Sequence, residues 1–147
     1  MDNQELQQAL LAAFAEEAPE LITRIDSALA ALEVSDIESS QLHLDAMGRP
    51  LHSLKGSASV IDRSDLTEVC HAMEDAMIDL PTEPAARKAA IDCLYLGLDF
   101  IRGCITSPTT TADNTHILQA LAARSCAGLP TTEVNEVASV VTATPCN

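Results

Sequence analysis

Apolar residues recur at three- and four-residue intervals along most of the chain, the period of helices that bury one face. Leu6, Leu10, Phe14, Leu21, Ile25, Leu29 and Leu32 mark a first long helix over residues 2–33, with Glu16, Glu17, Glu20 and Asp26 filling its other side. Pro19 falls inside it. A proline removes an amide donor and crowds the carbonyl four residues earlier, so a kink or break is expected there. Val34 to Ser40 is a polar connection, and Asp36 or Ser39 is a candidate cap for a second helix that runs to about Ile61. Gly48-Arg49-Pro50 interrupts that helix. Either it bends there, or a fresh segment begins with Pro50 in its first turn.

Asp62-Arg63-Ser64-Asp65 is a turn, with Ser64 the expected N-cap and Asp65 and Glu68 suited to a first helical turn. Leu66, Val69, Cys70, Met73, Met77 and Leu80 then form a third apolar stripe. So short a turn makes the second and third helices antiparallel. Pro81-Thr82-Glu83-Pro84 opens a fourth helix to about Ile105, broadly apolar through Cys93, Leu94, Leu96, Leu98 and Ile101. After a Thr-rich loop from Ser107 to Asn114, a shorter fifth helix is predicted from Thr115 to Ala127, stopped by Gly128-Leu129-Pro130. Residues from Thr131 to Asn147 show no useful period. The expected fold is all-α: an up-and-down antiparallel four-helix bundle with a fifth C-terminal helix over residues 1–128, followed by a flexible tail or linker at 129–147.

A chain of 147 residues, 47% of them apolar, suffices for one sizeable core and not for two domains. Its net charge of −14, with eight Lys and Arg in total, argues against nucleic acid and against an anionic membrane surface. Phe14, Tyr95 and Phe100 are the only aromatics, which leaves little for base stacking. No basic-then-apolar leader and no long apolar run is present, so a cytoplasmic chain with transient protein partners is expected. The five cysteines, Cys70, Cys93, Cys104, Cys126 and Cys146, include no C-x-x-C pair and are expected to be reduced, with Cys70 and Cys93 packing as apolar residues and no metal bound. No phosphate-binding glycine loop, G-x-S-x-G or H-E-x-x-H motif occurs, so no cofactor is implied. His43 and His116 are expected to be ordinary surface histidines.

The chemistry concentrates in Leu51-His52-Ser53-Leu54-Lys55-Gly56-Ser57-Ala58-Ser59. On a helix, Leu51, Leu54, Ala58 and Ile61 share one stripe, while His52, Lys55, Gly56 and Ser59 share another that faces solvent. Lys55 and Gly56 stand three and four residues beyond His52, the spacings of surface neighbours. A glycine inside a helix costs roughly 0.8–1 kcal/mol relative to alanine, so an exposed Gly56 calls for a reason such as close approach by another molecule. One ring nitrogen of a neutral imidazole can attack phosphorus while the other carries hydrogen, and a carboxylate accepting that hydrogen fixes the tautomer. His71 and Glu74, in Cys70-His71-Ala72-Met73-Glu74, share the flank of the third apolar stripe, and the flank of an antiparallel helix can face His52.

His-x-x-Lys-Gly within a helix resembles the phosphoacceptor signature of histidine phosphotransfer (HPt) domains, and the run Leu51 to Ala58 is most similar to HPt domains of the CheA type, N-terminal in chemotaxis kinases. A second histidine and a glutamate three residues later stand at the family's separations, at His71 and Glu74. Phe14 to Leu21 is similar to the family's acidic first helix, with Pro19 a departure. The resemblance implies one bent helix through Pro50, His52 as phosphoacceptor, Glu74 orienting it, Lys55 stabilising the phosphoryl group, His71 supporting the network, and Gly56 giving partners access. It implies a phosphoryl donor, ATP on a separate histidine-kinase catalytic domain, and an acceptor aspartate on a response-regulator receiver domain. The chain itself is then a phosphotransfer intermediate and not an enzyme, monomeric in isolation, either freestanding or the first domain of a larger kinase. Two other classes stay open: a helical interaction module that carries no phosphate, and a metal-binding bundle using His52, His71 and Glu74, which the positive charge of Lys55 opposes.

Overall fold

The computed structural model describes residues 2–107 and 110–125. Five helices occur among them: α1 (Asn3–Val34), α2 (Ser40–Val60), α3 (Ser64–Met77), α4 (Pro84–Thr106) and α5 (Thr115–Ala123). Helix α1 packs against α2 and α4, and α3 does the same from the opposite side, which closes the four helices into an up-and-down bundle. Helix α5 covers only α3 and α4. The core is built from the residues that carry the sequence period, with Ile25, Leu29, Leu51, Leu54, Met73 and Leu98 all fully buried. Gly97 lets α4 come close to α3, since a Cβ there would stand 2.7 Å from the Met73 sulfur.

Both internal prolines are accommodated without a break. Pro19 is exposed, so the Ala15 carbonyl it deprives of a partner belongs to the solvent side of α1. The Pro19 carbonyl is itself used by the Thr23 hydroxyl, 3.0 Å away. Pro50 is buried in mid-helix, and α2 runs continuously past it; His52 is therefore twelve residues beyond the start of α2 and away from the positive end of its dipole.

Helix ends depart from the sequence reading. Asp2 and Glu5 form a reciprocal capping box at the start of α1. At the start of α2, Asp36 Oδ1 accepts from the Ser39 amide at 2.8 Å, while Ser39 in the cap position makes no side-chain cap bond. Ser64 is the first residue of α3 and not its cap, because Arg63 takes the cap position and its side chain turns to Asp65. Helix α5 ends at Ala123, four residues earlier than the predicted Ala127, with Arg124 in the left-handed conformation (φ 54°). The Arg124 guanidinium donates to the carbonyls of Asp75, Ile78 and Asp79, satisfying the open C-terminal end of α3. Gly128-Leu129-Pro130 and the predicted tail at 129–147 lie outside the described residues. Among the described residues, no helix is long and apolar enough to cross a membrane.

One buried polar node fastens the α4–α5 connection to the bundle. Arg63 and Asp65 are each only 4% exposed and meet through two hydrogen bonds of 2.9 Å. Asp65 Oδ2 also accepts from the Ala112 amide at 2.8 Å, and Asn114 donates to the Asp65 carbonyl. Burial alone pushes the Asp65 carboxyl up; the Arg63 and Ala112 bonds together outweigh it and hold the group at about 2.

Candidate functional site

Leu51, Leu54 and Ala58 are fully buried against the bundle, and this sets the rotation of α2 about its axis. His52 consequently projects outward with 74% of its side chain exposed. Helix α3 runs antiparallel beside it and brings Glu74 across the seam, 24% exposed. Glu74 divides its two oxygens: Oε2 lies 3.3 Å from His52 Nδ1, and Oε1 accepts from Lys55 Nζ at 2.5 Å. An ionised carboxylate can only accept, so this contact places the ring hydrogen on Nδ1 and leaves the Nε2 lone pair free. The group on the seam is thus a histidine oriented from behind, with its second nitrogen available.

Gly56 lies on the same exposed side, and a Cβ built there would meet nothing within 4 Å. The positive charge of Lys55 is engaged by the Glu74 carboxylate, so the two helices are tied together beside His52.

The structure does not bring His71 to His52. Its recorded partner is Asp75, one turn further along α3, at 3.5 Å, and both side chains are 64% exposed. The reason is the antiparallel pairing: stepping back three residues from Glu74 along α3 moves toward the C-terminal end of α2. His71 accordingly lines a separate groove with Lys55, Gly56 and Ser59. Among the described residues, no three His, Cys, Asp or Glu side chains are grouped to hold a metal ion. His43 and His116 are half-buried and not fully surface-exposed. Cys70, Cys93 and Cys104 are buried and form no disulfide. Burial, helped by the charge of Glu74, pushes the Cys70 thiol up to about 12, so it offers no thiolate beside the site.

On its other side His52 opens into a groove between α2 and α3, lined by Gly48, Arg49, Ser53, Glu74 and Met77 among others. Arg49 belongs to the Gly48-Arg49-Pro50 segment, which the sequence reading treats as an interruption. The i, i+3 spacing of Arg49 and His52 was the available signal that the two share a face of α2.

Residues 9–105 match the family model of the Hpt domain. The chain is also 27% identical over 104 residues to the chemotaxis protein CheA of Halobacterium salinarum (strain ATCC 29341 / DSM 671 / R1), an alignment covering 70% of this chain and 15% of that protein. The chain therefore spans a small part of the length of that relative. No solved structure matches the chain. The span matched by the family contains His52, Lys55, Gly56 and Glu74 and leaves out α5. With an all-helical bundle that presents on its surface a histidine paired with a carboxylate, and with most of its length matched by the family, the chain belongs to the Hpt domain family, the histidine phosphotransfer modules of two-component signalling.

Proposed function

We propose that His52 is the phosphoacceptor, taking the γ-phosphoryl group of ATP from a histidine-kinase catalytic domain and passing it to an aspartate of a response-regulator receiver domain. The observation that carries this is the Glu74 carboxylate held against Nδ1 of an otherwise exposed imidazole. In the first step the Nε2 lone pair forms the N–P bond as the P–O bond to ADP breaks. Glu74 keeps hold of the Nδ1 hydrogen and offsets the positive charge that develops on the ring. In the second step a receiver carboxylate attacks phosphorus, the N–P bond breaks, and its electron pair returns to Nε2. The chain acts as a carrier between two partners, and its dependence on ATP makes the cytoplasm its compartment.

Incubation with a histidine-kinase core and ATP, then with a receiver domain, tests the route: label should enter the chain and leave it for the receiver. A chain that binds either partner yet stays unlabelled would be an interaction module instead. Glu74→Gln should slow label uptake by roughly 10-fold or more without changing the helical CD signal, since an orienter contributes less than the ~10²–10⁴ typical of direct proton transfer. An unchanged rate at saturating kinase would remove Glu74 from the mechanism.

Gly56 bears on access. A Cβ at Gly56 meets no atom within 4 Å and the position is exposed, so Gly56→Leu should melt no lower than the parent, and the helix should gain up to roughly 1 kcal/mol from losing a glycine. Uptake from the kinase and discharge to the receiver should both slow, because a branched side chain then stands beside His52. Transfer at the parent rate would show that the open space there has no role.

A further inference from the structure

The chain carries eight Lys and Arg against twenty-two Asp and Glu. Arg24, Arg63, Lys88 and Arg102 pair with carboxylates, and Lys55 pairs with Glu74. Arg87 donates to the Ser40 hydroxyl, and Arg124 to carbonyls at the end of α3. Arg49 alone has no hydrogen-bond or ion-pair partner among the described residues. The carboxylate one turn before it on α2, Asp45, accepts from Gln41 at 2.7 Å. In so acidic a chain, an exposed arginine without a partner lies in the same groove as His52, three residues before it on the same helix face.

The groove also holds Glu74, Asp45 and Asp79, an acidic surrounding for a phosphoryl group that carries two negative charges. Lys55 is held by Glu74. A guanidinium presents a planar fork of donors suited to two phosphoryl oxygens at once. We propose that Arg49 binds the phosphoryl group on His52, donating to its oxygens while it arrives and while it leaves. The inference rests on the reading of His52 as phosphoacceptor and adds to it the residue that holds the transferred group.

Phosphoramidate, a small phosphoryl donor, tests this without any protein partner. The Nε2 lone pair forms the new N–P bond, the P–N bond of the donor breaks, and ammonia leaves with its electron pair. Arg49→Gln should melt with the parent and should take phosphoryl on His52 roughly 10-fold more slowly, less than the ~10²–10³ lost with a buried donor because water screens this site. Arg49→Lys should recover part of the rate. With a kinase core and ATP, the same Gln variant should lose kcat at unchanged KM. Equal rates for parent and Arg49→Gln with phosphoramidate, or a change in KM alone with the kinase, would overturn the proposal, the latter making Arg49 a docking residue. If phosphoramidate leaves the parent unlabelled, the kinase comparison decides. A parent that is never labelled on His52 by either donor would instead refute the assignment of the phosphoacceptor itself.

Discussion

His52→Gln is expected to reduce acid-labile phosphoryl incorporation from a histidine-kinase core to background while leaving the fold untouched. Glutamine keeps a polar side chain of similar reach but has no ring nitrogen with a free lone pair, so the N–P bond cannot form. The fold should be indifferent, because the His52 side chain is 74% exposed and its one recorded contact is a long hydrogen bond to Glu74. The remaining histidines do not share its setting: His43 and His116 are half-buried, and His71 pairs with Asp75 on its own helix. Label that persists in this variant would assign the acceptor role elsewhere.

The largest loss of stability is expected from Asp65→Asn, far from the candidate site. The change removes the Asp65 charge from the buried Arg63 guanidinium and weakens the acceptor for the Ala112 amide. Removing one partner of a buried ion pair costs about 3–5 kcal/mol, a large part of the roughly 5–15 kcal/mol that holds a domain together. Urea unfolding at neutral pH should show it, and a variant as stable as the parent would mean that the pair contributes nothing. The pair also has a signature in acid. Asp65 is held at about 2 in the fold against an ordinary 3.8, so its contribution is complete above about pH 4 and is lost as pH falls toward 2. The shift corresponds to about 2 kcal/mol. The difference between parent and variant should therefore shrink by that order across this window.

The helices were legible because each carries its own period: Leu51, Leu54 and Ala58 alone fix which way His52 points. The same periods run through Pro19 and Pro50 without a change of phase, and that continuity outweighed the local cost that made a break seem due at Pro19. Resemblance supplied the pairing of His52 with Glu74, since residues that far apart in sequence meet only through the α2–α3 packing. It also grouped His71 with them, and there the direction of α3 carries His71 past the site. In the sequence, the Arg63–Asp65 node looks like an ordinary polar turn. Its burial depends on Ala112 and Asn114 returning from the far side of α4, which no local pattern announces. Arg49 sits between a glycine and a proline whose backbone effects dominate the local pattern, and its lack of a partner is a property of the folded surface that its sequence neighbours do not carry.

The central claim is that one nitrogen of one residue carries the phosphoryl group, and NMR of the ¹⁵N-histidine-labelled protein, phosphorylated by a kinase core and read through nitrogen–phosphorus coupling, tests it most directly. The geometry predicts a single phosphohistidine at His52 with phosphorus on Nε2 and the hydrogen retained on Nδ1 against Glu74. Phosphorus on His52 Nδ1, or on any other histidine, would contradict it.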